Sequence, residues 1–250
     1  MVKANTRDLL KLAARRLFAR RGFDGVTVRD IVLAAGQRNG GSLHYYFGTK
    51  EELARELVAD GAKLIDQRRN KRLEELERDG GPHKLRELIE ILVWPSTDLA
   101  GNEGASERSG GEDTYIRFIA MLQMSHRRLF LDALEGKWAS GYERCFAHIR
   151  RLLKGIDPEL VNQRLMFTSL YLRAAMSSRE GALEGGQPHH FWSADFTMQN
   201  LIDTIEGILR PAPSRQTRAS LQRARKSRSA ESAKPRVKGN ASSRGEYYAQ

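Results

Sequence analysis

The chain has 250 residues, 40% of them hydrophobic, and a formal net charge of +11; that length suffices for one large or two small domains with real cores. Its longest apolar runs, Leu88-Ile89 and Ile91-Leu92-Val93-Trp94, fall far short of the ~20 residues a spanning helix needs, and the amino terminus, with Lys3, Arg7 and Asp8, has no secretory apolar core. One cysteine, Cys145, excludes an internal disulfide and a Cys-rich zinc site, so a soluble, cytoplasmic protein with no membrane partner is expected.

Leu9, Leu10, Ala13, Ala14, Leu17 and Phe18 recur on one helical face between residues 5 and 21, and Gly22 stands where a glycine C-cap is expected. A second, short helix starts at Thr27, whose hydroxyl can cap the first turn beside Asp30, and Gly36 stops it. A third short segment runs from about Gly40 to Phe47. Thr49-Lys50-Glu51-Glu52 has the form of a capping box and opens a long helix to about Arg78, ended by Asp79-Gly80-Gly81-Pro82. Further helices are predicted near 83–95, 114–134, 136–154, 158–179 and 191–209, with no alternating strand pattern between them. After Pro211 large apolar residues almost vanish, which predicts a disordered tail. The chain thus divides into 1–50, 51–210 and a basic tail, 211–250.

Charge follows the same division. Residues 1–50 carry +7, residues 211–250 carry +8, and the middle carries −4. An anionic partner such as nucleic acid is therefore expected at the two ends. The tail is expected to add weak, salt-sensitive, sequence-blind affinity for DNA, with a merely solvated charge run the equal alternative.

A capped short helix, a glycine-containing turn and a second short helix over 27–50 fit helix-turn-helix geometry, whose second helix enters a major groove ~12 Å wide. The residues in that stretch are more specific than the pattern. Ala13-Ala14 with Leu17-Phe18, Arg21-Gly22-Phe23, Thr27-Val28-Arg29-Asp30-Ile31, Ala34-Ala35-Gly36 and Leu43-His44-Tyr45-Tyr46-Phe47-Gly48-Thr49-Lys50-Glu51-Glu52-Leu53 resemble, in order and spacing, the amino-terminal domain of the tetracycline-repressor (TetR) family. The resemblance implies an all-α protein: a three-helix DNA-binding domain followed by a larger helical domain that binds a small molecule and dimerises through its last two helices, here near 158–179 and 191–209. The Gln37-Arg38-Asn39 turn is like one subgroup of the family and one residue longer than usual, and His44 stands where tyrosine is more frequent.

Gln37, Arg38, Asn39 and Ser42 are candidates for reading base edges, with Arg29 on the preceding helix at a position that faces the groove in the family. Asn39 also fits a plain N-cap and Gln37 a turn residue. Thr27, His44, Tyr46 and Lys50 are candidates for holding phosphates, while Leu43, Tyr45 and Phe47 are expected in the core. A pocket for a largely apolar effector is expected to draw on Trp94, Phe118, Met121, Phe146, Phe167 and Tyr171, and less specifically on Met124, Phe130, Trp138 and Met166. Arg117, His126, His148 and Arg173 are possible polar contacts. Ordinary core packing explains the aromatic residues equally well.

No histidine spacing suits a metal, and no nucleophile elbow, phosphate-cradling loop or paired carboxylates point to an enzyme or a cofactor. The expected function is a homodimeric regulator, a repressor released from a palindromic operator in double-stranded DNA by a small ligand. A ligand-independent dimeric architectural protein is the alternative.

Overall fold

The computed structural model describes residues 5–97, 99 and 113–232, and among these every regular element is helical. Helix α1 spans Thr6–Arg21; Asn5 Oδ1 accepts the Arg7 N–H at 3.1 Å, and the N–H of Gly22, with φ of +74°, closes onto the Phe18 carbonyl. Helix α2, Val28–Ala34, opens on a reciprocal capping box: Thr27 Oγ1 accepts the Asp30 N–H at 3.1 Å and Asp30 Oδ2 accepts the Thr27 N–H at 2.9 Å. Helix α3, Ser42–Phe47, follows, and then α4, Lys50–Arg78, capped by Thr49 Oγ1 on the Glu52 N–H. The Gly22 stop and the caps at Thr27 and Thr49 were visible in the sequence, although Thr49 forms only half of the expected capping box; the Asn5 cap was not singled out there.

The larger unit adds α5 (Leu85–Val93), a 3-10 turn (Trp94–Ser96), α6 (Tyr115–Ser125), α7 (Arg127–Leu134), α8 (Ser140–Leu152), α9 (Pro158–Ala182), α10 (Thr197–Leu209) and α11 (Arg215–Ser232). Helix α4 runs under α7 and α8, α6 lies against α9 and α1, and α10 packs on α5 and α9. One continuous apolar core joins the first three helices to the rest. The start of α6 reaches α4 through the Tyr115 ring, which needs Gly61: an added Cβ there would lie 2.2 Å from that ring. The Tyr115 hydroxyl donates to the Val58 carbonyl of α4 at 2.8 Å.

Four predicted elements differ from the observed ones. The expected helix 114–134 breaks at His126, whose φ of −134° and ψ of 51° leave the helical region; its ring lies edge-on to Phe23, 4.9 Å between centroids, and Nε2 is 2.9 Å from an Asp24 carboxylate oxygen. A tertiary contact, absent from local sequence, holds that break. The helix expected from 136 begins only at Ser140, after left-handed Glu135, Gly136 and Trp138. The helix expected from 191 begins at Thr197, since the 191–196 segment forms turns with His189 Nδ1 accepting the N–H groups of Phe191 and Trp192 at 3.2 Å.

The tail supplies the fourth difference. Residues 215–232, expected to be disordered, form α11. Arginine, alanine, glutamine and lysine are good helix formers, Ser214 Oγ caps the Thr217 N–H at 3.1 Å, and Arg225 and Arg228 pair with Asp157 and Glu159 at 2.8 and 2.7 Å. Distant carboxylates thus stabilise a segment that lacks an apolar stripe. Residues 233–250 lie outside the described residues.

Candidate nucleic-acid interface

Helices α2 and α3 are oriented by what they bury. Ile31 and Val32 of α2 and Leu43 and Phe47 of α3 are in the core, with Tyr46 packed against it. Residues 43, 46 and 47 share a helical face by the i, i+3, i+4 rule. Residue 45 therefore points away, and Tyr45, expected in the core, is 81% exposed. That expectation is corrected: in so short a helix the three consecutive aromatics hide the phase that the burial of Leu43 and Phe47 sets. Tyr45 joins the outward side of the unit, its ring edge-on to Tyr46 at 4.9 Å.

Arg29, Leu33, Arg38, Asn39 and His44 of the same helix-turn-helix unit are exposed as well. Neither Arg29 nor Arg38 has an acidic partner within ion-pair distance among the described residues. The turn is organised by its own polar groups. Gln37 Nε2 donates to the Ala35 carbonyl at 3.2 Å, and Asn39 Oδ1 accepts the Gly41 N–H at 2.9 Å. Ser42 Oγ donates to the Asn39 carbonyl at 2.8 Å. Asn39 is thus a turn residue with its amide nitrogen still available, and Gly41 occupies the N-cap of α3 without a side-chain bond.

Of the four residues expected on phosphates, His44 retains the best geometry. Its Nδ1 lies 2.7 Å from the Gly48 carbonyl, which can only accept, so Nδ1 carries the proton and Nε2 is left for an outside partner. The Thr27 hydroxyl instead donates to Asp30 at 2.7 Å; this bond and the Thr27 N–H hold the Asp30 carboxyl below its usual range. Tyr46 is half-buried. The Lys50 ammonium turns inward, donating to the carbonyls of Phe23 and Val26 at 3.1 and 3.0 Å and lying 4.1 Å from the Phe23 ring centroid. It ties the α1–α2 turn to α4, a different task from the phosphate contact expected of it.

The helix-turn-helix unit is joined to the larger domain through α1. Phe18 stacks on Phe118, Arg20 pairs with Glu184, and Arg117 reaches the same carboxylate at 2.9 Å. Those two arginines hold the Glu184 carboxyl below its usual range. The Glu180 carboxylate caps α6, accepting the N–H groups of Ile116 and Arg117 at 2.9 and 2.6 Å. An open cleft of about 550 Å³ lies beside this junction, lined by Phe23, Asp24, Lys50, Arg55, His126 and Leu129 among others. The cleft and the Asp24–His126 contact were not anticipated from sequence.

None of the six residues expected to line an effector pocket lines this cleft. Phe118 is buried under Phe18, and Phe146 packs on Tyr142 at 4.2 Å. Trp94 is half-buried in the 3-10 turn, and the Met121 methyl lies against Gly22. Phe167 and Tyr171 lie exposed on α9. Among the polar candidates, Arg117 pairs with Glu184, His126 with Asp24, and His148 with Glu77 at 2.8 Å. Arg173 lies near Tyr142 with its charge disfavoured by burial. Burial pushes the Cys145 thiol up to about 11, so the sole thiol stays protonated at neutral pH. Among the described residues no group of three His, Cys, Asp or Glu is placed to hold a metal, and no helix is long and apolar enough to cross a membrane.

A capped helix, a polar turn and a second short helix with an exposed face of arginine, histidine and tyrosine define a helix-turn-helix DNA-binding domain on a larger all-helical domain. Residues 12–57 match the model of the bacterial regulatory proteins of the tetR family. The chain carries the amino-terminal domain of that family and is a DNA-binding transcriptional regulator. Among solved structures it is similar to the TetR family transcriptional regulator PfmR from Thermus thermophilus, with 18% identity over 85% of this chain and 100% of that one and a TM-score of 0.48. It is also similar to Salmonella enterica GusR, at 17% identity over 84% and 97% with a TM-score of 0.44. A third similar structure is described as superantigen pfit, at 20% identity over 82% and 88% with a TM-score of 0.46. No curated protein matches the chain.

Proposed function

We propose that this chain acts as a homodimeric repressor that binds a palindromic operator and is released by a small, largely apolar ligand. The observation that carries the reading is the exposure of Arg29, Arg38, His44 and Tyr45 within one helix-turn-helix unit, with no acidic partner within ion-pair distance of either arginine among the described residues. Arg38, Asn39 and Ser42 read bases, and Arg29, Tyr45 and His44 Nε2 contact backbone or bases beside them. The exposed apolar residues Phe167, Leu170 and Tyr171 of α9 and Phe196 at the start of α10 support a two-fold dimer through these helices. Such a dimer sets two recognition helices ~34 Å apart.

Release by ligand is supported by the direct packing of α6 on α1, through which a shift in the helical domain alters the spacing of the two recognition helices. Footprinting on the region upstream of its own gene tests the reading. Protection of a palindrome is expected, and no protection at low salt overturns it. A metabolite panel screened for loss of that footprint tests ligand release. In sedimentation, Phe167→Glu with Leu170→Glu is expected to give monomers, and a monomeric wild type removes the dimer.

A further inference from the structure

Helix α11 carries Arg215, Arg218, Arg223, Arg225, Lys226 and Arg228 against the single acid Glu231. Its charges are divided by the helical period. Arg225 and Arg228 face α9 and pair with Asp157 and Glu159. At 100° per residue, Arg215, Arg223 and Lys226 fall on the side turned away from those two. None of these three has an acidic partner among the described residues, and all are exposed. Two arginines thus tether the helix to the start of α9, and a row of cations stands on its other side.

Its place in the fold is at the pole opposite the helix-turn-helix unit. The carboxy-terminal end of α9 lies beside α1 and the start of α6, through Glu184 with Arg20 and Glu180 with Ile116. Its amino-terminal end, where Asp157 and Glu159 hold α11, is 25 residues away, a helix length of ~37 Å. Helix α10 agrees, because it runs antiparallel to α9. Tyr171 meets Thr204 at 3.0 Å, and Arg164 donates to the Leu209 carbonyl at 2.8 Å, so the chain enters α11 at that far end. A duplex seated on α2 and α3 lies beyond α1, out of reach of the cationic row.

We propose that α11 is a second, sequence-blind contact for duplex DNA, separate from the recognition helix, by which one protein molecule holds two DNA segments. Five of its six cations are arginines, whose planar fork suits phosphate oxygens better than a point charge does. Leu221 is its only large apolar side chain, too little to seat the helix in a membrane surface or a hydrophobic groove. A regulator held on DNA by its recognition helices meets neighbouring DNA at high local concentration, and that makes weak phosphate contacts effective. The proposal rests on the function above for the first duplex only.

The test uses the full-length chain, one random-sequence duplex on beads and a second, fluorescent duplex in solution at low salt. Wild-type protein is expected to recruit the fluorescent duplex to the beads. Arg215→Glu/Arg223→Glu/Lys226→Glu is expected to lose that bridging by ~10-fold or more while its affinity for a lone short duplex changes less than ~2-fold. The corresponding triple glutamine variant, which keeps helix propensity, loses bridging to a smaller extent. Unchanged bridging in the glutamate variant overturns the proposal. So does an equal loss of lone-duplex affinity, because it places α11 on the duplex already held by α3. Arg38→Ala/Tyr45→Ala separates the two readings: if it binds a lone duplex as wild type does, the helix-turn-helix reading fails, whatever α11 does.

Discussion

Phe18 of α1 and Phe118 of α6 stack at 5.7 Å between ring centroids with a 25° interplanar angle, so the DNA-binding unit and the helical domain share one core. Phe118 is 1% exposed. Phe118→Ala should therefore cost ~3–5 kcal/mol of stability through lost burial and a residual cavity. Urea denaturation followed by circular dichroism measures it. A loss under ~1 kcal/mol, typical of a surface site, would show that the two units are not packed as described.

Tyr45 and Arg38 give the opposite signature. Both are exposed, so alanine at Arg38 should leave stability within about 0.5 kcal/mol. Alanine at Tyr45, whose ring meets Tyr46 at the edge of the core, should cost no more than ~1 kcal/mol. DNA binding should nevertheless weaken. Arg38→Ala is expected to remove ~1–3 kcal/mol of discrimination between operator and random duplex if it reads a base. Tyr45→Ala should weaken both by a similar factor if it contacts the backbone. Fluorescence anisotropy with the two duplexes separates these outcomes.

How far the sequence disclosed this arrangement depends on how local the cause is. Caps at Thr27 and Thr49 act within four residues, so the starts of α2 and α4 were legible, while α1 was legible from its apolar face. The outward side of the recognition unit was legible for Arg29 and Arg38 but not for Tyr45, because three consecutive aromatics in a six-residue helix hide its phase. The break at His126 rests on Phe23 and Asp24, about a hundred residues away, and no local residue announces it. Helix α11 was missed for a related reason. Its composition resembles a disordered tail, and its stabilising partners, Asp157 and Glu159, lie some seventy residues earlier. The effector pocket was least legible, since aromatic and methionine side chains have the same spacing whether they line a cavity or fill a core.

Lys50 shows how a residue type can match an expected site while its side chain serves another. Its ammonium bridges two carbonyls of the α1–α2 turn and covers the Phe23 ring. Lys50→Ala should destabilise the protein by about 2 kcal/mol, through lost charge-assisted hydrogen bonds and the cation–π contact. The salt dependence of DNA binding, read as the slope of log K against log salt, should not change. A slope reduced by about one unit would instead put Lys50 on a phosphate.

Glu180 is the buried carboxylate with a clear pH consequence. Burial pushes its carboxyl up to about 7, against the opposing pull of the Arg117 and Ile116 N–H groups that it caps. The folded state therefore binds this proton more tightly than the unfolded chain, where a glutamate titrates near ~4.3. Between those two values the native protein holds more protons, so stability falls as pH rises. The stabilisation is fully present below about 4.3 and is lost as pH rises through 7. The nominal span is about 4 kcal/mol by the usual conversion of pKa into free energy. Glu180→Gln keeps the side-chain shape and one accepting oxygen but cannot titrate. Its stability should lack this component of the slope between about pH 5 and 8, so the difference between variant and wild type should change with pH across that window. Paired urea titrations at several pH values measure that difference. A difference independent of pH would mean that Glu180 stays ionised throughout and that its two hydrogen bonds outweigh the cost of its burial.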